Sequence, residues 1–189
     1  IIDRILDTAG SKGTGKWTTD QALELGAPSF SIAAAVFARS ASADKVMRAR
    51  LSEAFGKSDV SMVSGLTLDD VESALYAAKL LSYAQGYELL SLAAREYGWN
   101  LDFREISRIW QGGCIIRARF LRELTRVYAE NPGLSHLLLS PFATDAVKGN
   151  IAALRKVSGA AVAAGIPAPG LLSSLSYFDT MRTAQGSAN

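Results

Sequence analysis

The chain has 189 residues, of which 49% are hydrophobic and 20% charged, which is typical of one domain with a sizeable core. A net charge of +2 argues against a broad nucleic-acid-binding face, and no apolar run reaches the length of a membrane span. The single cysteine, Cys114, excludes an intrachain disulfide and is compatible with a reducing compartment. We therefore expect a cytoplasmic protein without a membrane or nucleic-acid partner.

Helical signals begin near the start of the chain, and no segment alternates like a β-strand. Thr18 followed by Gln21 predicts a capping box that opens a first helix, and Gly26 is suited to close it. Ser29 or Ser31 is then expected to cap a second, strongly apolar helix. The serines at 40 and 42 predict an interruption before a third helix over Lys45–Phe55.

The longest predicted helix follows a polar connection over Gly56–Gly65. Thr67 is placed to cap it, it runs from Leu68 to about Tyr97, and Gly98 is a natural terminator. Its apolar face has helical spacing at Val71, Leu75, Ala78, Leu81 and Leu89. We expect the other helices to pack around this one.

Capping and breaking signals place four more helices toward the end of the chain. They are a helix capped by Asp102 with Glu105 and leading to Trp110, then Cys114–Tyr128, Pro141–Ala164 after Ser140, and Leu171–Arg182. The sequence therefore predicts an all-α fold, with residues 1–189 forming one multi-helix domain around a long central helix.

The stretch GSKGTGKWT at residues 10–18, called here the basic loop, combines glycines, lysines and hydroxyls. Glycines allow close approach of the backbone to a ligand, and the polar side chains supply hydrogen-bond donors. This is the chemistry of a loop that holds an anion such as phosphate, although a solvated basic turn has the same composition. A nucleotide P-loop is disfavoured because Trp17 stands where the magnesium-binding hydroxyl belongs and no strand signal precedes Gly10.

Arg39 is a second candidate for anion binding, because it ends the apolar run SIAAAVFA. A guanidinium beside a buried segment keeps its charge and needs an anionic partner. Asp44, five residues on, is poorly placed on the helix to supply one. The alternatives are a bound phosphate or carboxylate, held by two hydrogen bonds, and an arginine that reaches water from a helix end.

Five segments in order carry a resemblance over essentially the whole chain: AGSKGTGKWT, AVFAR ending at Arg39, SYAQGYELL, GGCIIRARFL, and GIPAP with LSYFD. Together they resemble the NADP-dependent, decarboxylating 6-phosphogluconate dehydrogenase family. The resemblance is to the later, helical part of that enzyme. It implies an amino-terminal dinucleotide-binding domain outside this sequence, which contains no G-x-G-x-x-G.

The resemblance implies that Lys12, Thr14 and Arg39 hold the phosphate of 6-phosphogluconate, with Gly13 and Gly15 as supporting positions of the loop. It implies no catalytic residue in this segment, because the family's catalytic lysine and glutamate lie in a motif that this sequence lacks. It further implies that NADP is bound mainly by the absent domain, that no metal takes part, and that the enzyme is a homodimer formed largely through the helical domain.

Two departures from the family pattern are Gln111, where an arginine is usual, and Ser187, where a proline is usual. The family's carboxyl-terminal tail brings an arginine and a histidine into the partner subunit's site, and neither lies in this sequence. The expectation is therefore a fragment that holds substrate and forms a dimer but is inactive alone. A non-catalytic helical scaffold that has kept the fold is the alternative function.

Overall fold

The computed structural model describes residues 4–57 and 63–186. Within those ranges every regular element is a helix and no β-strand is present, which confirms the all-α prediction. Eight α-helices follow one another: α1 Thr14–Glu24, α2 Phe30–Ala43, α3 Lys45–Phe55, α4 Leu68–Tyr97, α5 Phe103–Ile109, α6 Leu121–Glu130, α7 Pro141–Ala163 and α8 Pro169–Met181. A 3-10 turn, Leu137–Leu139, precedes α7.

The long helix α4 is the centre of the fold, as predicted, and its ends lie where the capping signals place them. The Thr67 hydroxyl accepts a hydrogen bond from the Asp70 N–H at 3.1 Å, and the Asp70 carboxylate accepts one from the Thr67 N–H at 2.8 Å. This reciprocal capping satisfies two amide donors that the first turn otherwise leaves free. At the other end Gly98 takes a left-handed conformation with φ 66° and closes the helix.

The core lies between α4 and the helices that follow it. α7 packs along α4, α8 packs on both, and α5 with α6 covers the remaining side. Leucines from four different helices or turns are fully buried there, namely Leu80, Leu81, Leu121, Leu124, Leu137 and Leu154. An aromatic cluster of Tyr83, Tyr87, Phe103, Trp110, Phe120 and Tyr128 extends this core. Burial of this apolar surface is the main driving force for the arrangement.

The first three helices lie outside this core. α2 packs against α8, α1 packs against α2, and α3 contains no buried residue. A buried polar cluster fixes the start of α2: the Gln85 side chain accepts a hydrogen bond from the Ser31 N–H at 2.8 Å, and the Ser31 and Ser174 hydroxyls lie 2.8 Å apart. Gln85 and Ser174 belong to α4 and α8, so three helices meet at this point.

The first helix begins five residues earlier than the sequence predicts, with its N-cap at Gly13 and not at Thr18. α1 starts at Thr14, and the Thr18 hydroxyl donates back to the Thr14 carbonyl at 2.8 Å, so Thr18 lies inside the helix and does not cap it. The proposed capping box of Thr18 and Gln21 was therefore wrong. The predicted terminator was confirmed, because Gly26 has φ 66° directly after the last turn of α1.

Two further boundaries differ from the sequence prediction. α2 continues through residues 40–42 to Ala43, and α3 follows after Asp44, whose carboxylate accepts a hydrogen bond from the Met47 N–H at 3.0 Å. α6 begins at Leu121, whereas the predicted helix started at Cys114. Ile115 and Ile116 are exposed, so no burial offsets the lower helix propensity of these β-branched residues. Part of the predicted Gly56–Gly65 connection lies outside the described residues.

Candidate functional site

The basic loop leads directly into the amino terminus of α1, and this terminus has no cap from a side chain. Gly13 occupies the N-cap position, and the first turn contains no acidic residue. The first hydrogen bond of the helix runs from the Trp17 N–H to the Gly13 carbonyl at 2.9 Å. The N–H groups of residues 14–16 therefore have no partner within the described residues, and a helix terminus in this state attracts anions.

The two polar side chains predicted to bind phosphate flank this terminus. Lys12 immediately precedes the N-cap residue, and Thr14 is the first residue of α1. Both are exposed, and among residues 4–57 and 63–186 neither side chain makes a hydrogen bond or ion pair that would compete with a ligand. An ammonium, a hydroxyl and free amide groups are thus gathered at one end of one helix.

Gly13 is required by the backbone and by a neighbouring ring. Its φ of 95° lies in the left-handed region, which side chains rarely tolerate. A Cβ built on Gly13 would also lie 3.1 Å from the Trp17 ring, which folds back over the loop. The Trp17 ring covers Gly13, although 64% of the tryptophan remains exposed.

Gly15 brings the basic loop against the helix that carries Arg39. A Cβ built on Gly15 would lie only 3.0 Å from Val36 Cγ2, so a glycine is needed for α1 to approach α2 this closely. Val36 and Arg39 are three residues apart on α2 and therefore share one face of it. This contact connects the first turn of α1 to the helical face that presents Arg39.

The premise that Arg39 borders a buried segment was wrong. Ser31 is the one buried residue of α2, and Phe37 is 70% exposed. Arg39 is itself exposed and forms no ion pair with the residues that the structure describes. Asp44 is unavailable to it, because its carboxylate caps α3. The guanidinium is consequently free to bind an anion, for a different reason from the one that the sequence suggested.

The segment before the basic loop is held by α3. Lys45 donates a hydrogen bond to the Leu6 carbonyl at 2.8 Å, and Arg48 forms an ion pair with Asp7. Residues 6–10 are extended or irregular and form no β-strand. The strand that a nucleotide P-loop requires is therefore missing at this position, which agrees with the prediction from Trp17.

The one histidine of the sequence, His136, is held by structural contacts. His136 Nδ1 accepts a hydrogen bond from the Leu138 N–H at 3.1 Å, and its Nε2 lies 3.0 Å from the Tyr177 hydroxyl. Tyr177 donates to Glu88 at 3.0 Å, and its burial raises the pKa of the phenol. Across the described parts of the chain no three His, Cys, Asp or Glu side chains form a group that could hold a metal ion.

Of the two departures from the family pattern, Gln111 can be placed and Ser187 lies outside the described residues. The Gln111 amide donates to the Thr125 hydroxyl at 2.8 Å, and that hydroxyl donates to the Leu121 carbonyl at the same distance. Gln111 thus ties the loop after α5 to the first turn of α6. Cys114 is half-buried in this loop.

Sequence reasoning missed the free amide groups of α1 and the role of Val36. The free amide groups were missed because the sequence prediction placed the helix start at Thr18. Gly13, followed by a first turn without acidic residues, is the sequence signal of an uncapped helix start. Val36 makes a contact between helices, and no local sequence pattern indicates it.

Comparison with known proteins gives consistent matches. The family model described as 6-phosphogluconate dehydrogenase, C-terminal domain, matches residues 1–189. The decarboxylating 6-phosphogluconate dehydrogenase of Candida albicans is 44% identical over 194 residues, covering 100% of this chain and 38% of the relative. The chloroplastic decarboxylating enzyme 1 of Arabidopsis thaliana is 47% identical over 199 residues, covering 100% of this chain and 41% of the relative.

A solved structure is similar over almost the whole chain. It is Plasmodium falciparum 6-phosphogluconate dehydrogenase, described in its apo form and in complexes with its cofactor NADP+ and its substrate 6-phosphogluconate. The TM-score is 0.92 at 38% identity, covering 99% of this chain and 41% of the other. This chain spans about two fifths of the length of its relatives, as the 38% and 41% coverages show.

The sequence motifs, the all-helical fold and the match over every residue agree with one another. The chain belongs to the family of 6-phosphogluconate dehydrogenase C-terminal domains.

Proposed function

We propose that this chain is the substrate-holding helical part of an enzyme that converts 6-phospho-D-gluconate and NADP to ribulose 5-phosphate, carbon dioxide and NADPH. The observation that carries the proposal is the uncapped start of α1, which lies between Lys12 and Thr14 and packs at Gly15 against the Arg39 helix. Membership of the family supplies the reaction, and the geometry of this end of α1 supports the role of the segment.

In this proposal three side chains bind one phosphate group, each through a different kind of contact. Lys12 contributes a compact positive charge, Thr14 a hydroxyl donor and Arg39 a planar fork that matches two phosphate oxygens. The free N–H groups at the start of α1 add donors and the positive end of the helix dipole. No other charged group of the described residues is bound to these side chains, so a dianionic phosphate supplies the missing counter-charge.

The segment positions the substrate, and the bond chemistry belongs to groups outside it. Hydride passes from carbon 3 of the sugar acid to NADP, the resulting β-keto acid loses carbon dioxide, and the enediol is protonated to ribulose 5-phosphate. Anchoring the phosphate at the far end of the substrate fixes the reacting carbons relative to base and cofactor. Binding energy remote from the reaction centre can in this way contribute to the rate.

The described residues of this chain do not form a binding site for NADP by themselves. The sequence has no G-x-G-x-x-G, and the residues that the structure describes include no strand on which a dinucleotide-binding turn is built. When bound, NADP supplies the hydride acceptor, and we propose that a separate amino-terminal domain of the full-length protein holds most of it.

We further propose a cytoplasmic homodimer formed largely through these helices. Large apolar side chains outside the core support this: Phe37, Val46, Leu51 and Phe55 are exposed on α2 and α3. Surfaces of this kind mark contact sites between chains or domains. The molar mass of the full-length protein, measured by light scattering, is expected to be twice that of one chain, and a monomeric mass would contradict the proposal. No helix among the described residues is long and apolar enough to cross a membrane.

The test is a calorimetric titration of 6-phosphogluconate into the full-length protein and its Arg39→Gln variant. Loss of a bidentate, charge-assisted contact is expected to weaken binding by roughly 1.5–3 kcal/mol, about ten- to hundredfold. Arg108→Gln is the matched control, because Arg108 is also exposed but is paired with Glu105 at 2.6 Å on α5. Its affinity is expected to equal that of the wild type.

Each other outcome has a definite meaning. Equal affinity in the wild type and Arg39→Gln would show that Arg39 does not hold the phosphate. Absence of binding in both proteins would favour the helical scaffold, since a scaffold need not keep Lys12, Thr14 and Arg39 as a working set. If Arg39→Gln weakens binding as expected, Lys12→Gln and Thr14→Val should weaken it as well.

A further inference from the structure

A second group of cations lies around an open cleft between the loop that follows α5 and the start of α6. The cleft has a volume of about 560 Å³ and is lined by Gln111, Arg117, Ala118, Arg119 and Arg122. We call it the arginine cleft. None of its lining residues belongs to the basic loop or to α2, so it is separate in composition from the proposed phosphate site.

The three guanidinium groups of the arginine cleft have no carboxylate partner among the residues that the structure describes. Neighbouring arginines behave differently: Arg126 on α6 pairs with Glu123 at 3.2 Å, and both arginines of α5 pair with Glu105. Three permanent positive charges around one concavity repel one another. An anion inside the cleft would replace this repulsion by attraction.

The start of α6 lies next to Arg119 and Arg122 and has no side-chain cap. Phe120 is its N-cap, and the N–H groups of Leu121 and Arg122 donate to the carbonyls of Ala118 and Arg119 at 3.2 and 3.4 Å. Glu123, the acidic residue of the first turn, has its carboxylate bound to Arg126. The acid of the first turn therefore does not neutralise Arg119 or Arg122.

The wall of the cleft is held in place by hydrogen bonds. The Gln111 amide donates to Thr125 at 2.8 Å, and Thr125 donates to the Leu121 carbonyl, so two hydrogen bonds connect the loop to α6. A preformed wall lowers the entropy cost of binding.

We propose that the arginine cleft binds a small molecule carrying two or more negative charges on phosphoryl groups. The concave shape and volume are those of a small-ligand site, within the usual range of about 300–1,000 Å³. Guanidinium groups match phosphate oxygens with paired hydrogen bonds. The chain's net charge of +2 leaves no extended basic face of the kind that a nucleic acid requires.

The test uses inorganic pyrophosphate as the probe and the full-length protein carrying Arg39→Gln, which weakens the proposed phosphate site. Calorimetric titration into this parent is compared with titration after adding Arg122→Gln or Arg119→Gln. Each is expected to weaken pyrophosphate binding about tenfold, the effect of losing one charge-assisted contact. Inorganic phosphate, with fewer charges to share among three arginines, is expected to bind more weakly than pyrophosphate.

The matched control is Arg126→Gln in the same parent. It removes the same charge from the same helix but does not line the arginine cleft, so its affinity is expected to stay within about twofold of the parent by screening alone. Equal losses for Arg122→Gln and Arg126→Gln would overturn the proposal, because they would reduce it to a general charge effect. Absence of pyrophosphate binding by the parent would overturn it as well. All substituted side chains are exposed, so the fold is expected to persist and is checked by thermal unfolding.

Discussion

The helices α4–α8 and the helices α1–α3 are built in opposite ways. The first group buries leucines and aromatic rings in one core, whereas α1 buries two residues, α2 one and α3 none. Side-chain caps occur in both groups: Thr67, Asp102 and Ser140 cap α4, α5 and α7, and Asp44 caps α3, whereas α1, α2, α6 and α8 begin without one. A stable scaffold thus carries a weakly buried segment whose free polar groups are available to a ligand.

The two regions meet where α2 packs against α8 and α4, and a buried polar and aromatic contact lies at the start of α2. Gln85 is 1% exposed and bonds both the N–H and the hydroxyl of Ser31, at 2.8 and 2.9 Å. Next to it the ring of Phe30 packs edge-on against Tyr177, with ring centroids 6.0 Å apart. The position of α2, and with it that of Arg39, therefore depends on contacts made at the opposite end of the helix.

The largest difference between the regions is expected from paired leucine truncations. Leu81→Ala removes a side chain with 0% exposure from the centre of α4, and the resulting cavity should lower the free energy of unfolding by about 2–5 kcal/mol. Leu23→Ala on α1, at 78% exposure, should change it by less than about 0.5 kcal/mol. Urea unfolding measures the free energy of unfolding of both variants. Similar losses of stability in the two would contradict the division into a buried core, α4–α8, and a weakly buried segment, α1–α3.

Breaking the contact between the regions comes next. Gln85→Leu leaves the buried Ser31 N–H without an acceptor, which should cost roughly 1–3 kcal/mol of stability. Because Ser31 and Arg39 lie on the same helix, 6-phosphogluconate affinity should fall as well. Ser82→Ala is the control, since its hydroxyl bonds only within α4, to the Ala78 carbonyl. Lost stability with full affinity would show that the start of α2 does not control Arg39.

A smaller effect is expected from crowding the approach of α1 to α2. Gly15→Ala places a methyl group 3.0 Å from Val36 and should weaken 6-phosphogluconate binding by about tenfold, with little change in stability because alanine favours the helix. Adding Val36→Ala should restore the affinity by making room. Gly10→Ala is the matched control, because a Cβ there meets nothing within 4 Å. Unchanged affinity in Gly15→Ala would remove Gly15 as a positioning residue.

The smallest effect is expected at the ion pair that joins α7 to α8 within the core region. Arg155 and Arg182 bind the Asp179 carboxylate at 2.6 and 2.8 Å and lower its pKa to about 2. A lowered folded-state pKa contributes stability above the unfolded value near 4, and this is lost as the pH falls toward 2. Asp179→Asn should therefore cost at most about 1 kcal/mol at pH 7, after solvent screening.

The pH dependence of this variant is the decisive measurement. The difference in unfolding free energy between the wild type and Asp179→Asn should shrink between about pH 4 and pH 2, as the wild-type carboxyl becomes neutral. A difference that stays constant over this range would mean that Asp179 acts through packing or hydrogen bonding and not through its charge.

Much of the fold could be predicted because its signals are local. The capping box at Thr67 and the left-handed Gly98 define the ends of α4, and Ser140 with Pro141 defines the start of α7. The prediction of a helix start failed where two local signals for it lay close together. Thr18 has the pattern of a cap but lies within α1, because Gly13 in its left-handed conformation starts the helix earlier. The apolar residues after Cys114 imitate a helix that no neighbour buries.

The sequence by itself determined the all-α class, the central helix, the family and the residue types able to hold a phosphate, because helix caps, periodicity and motifs are properties of neighbouring residues. Tertiary structure alone decided that Gly15 meets Val36, that Arg39 is exposed and unpaired among the described residues, and that three arginines surround one cleft. The first two depend on distances between helices, whereas the cleft depends on how residues 111–122 turn between α5 and α6. Such distances follow from how whole helices pack, and no short stretch of sequence encodes them.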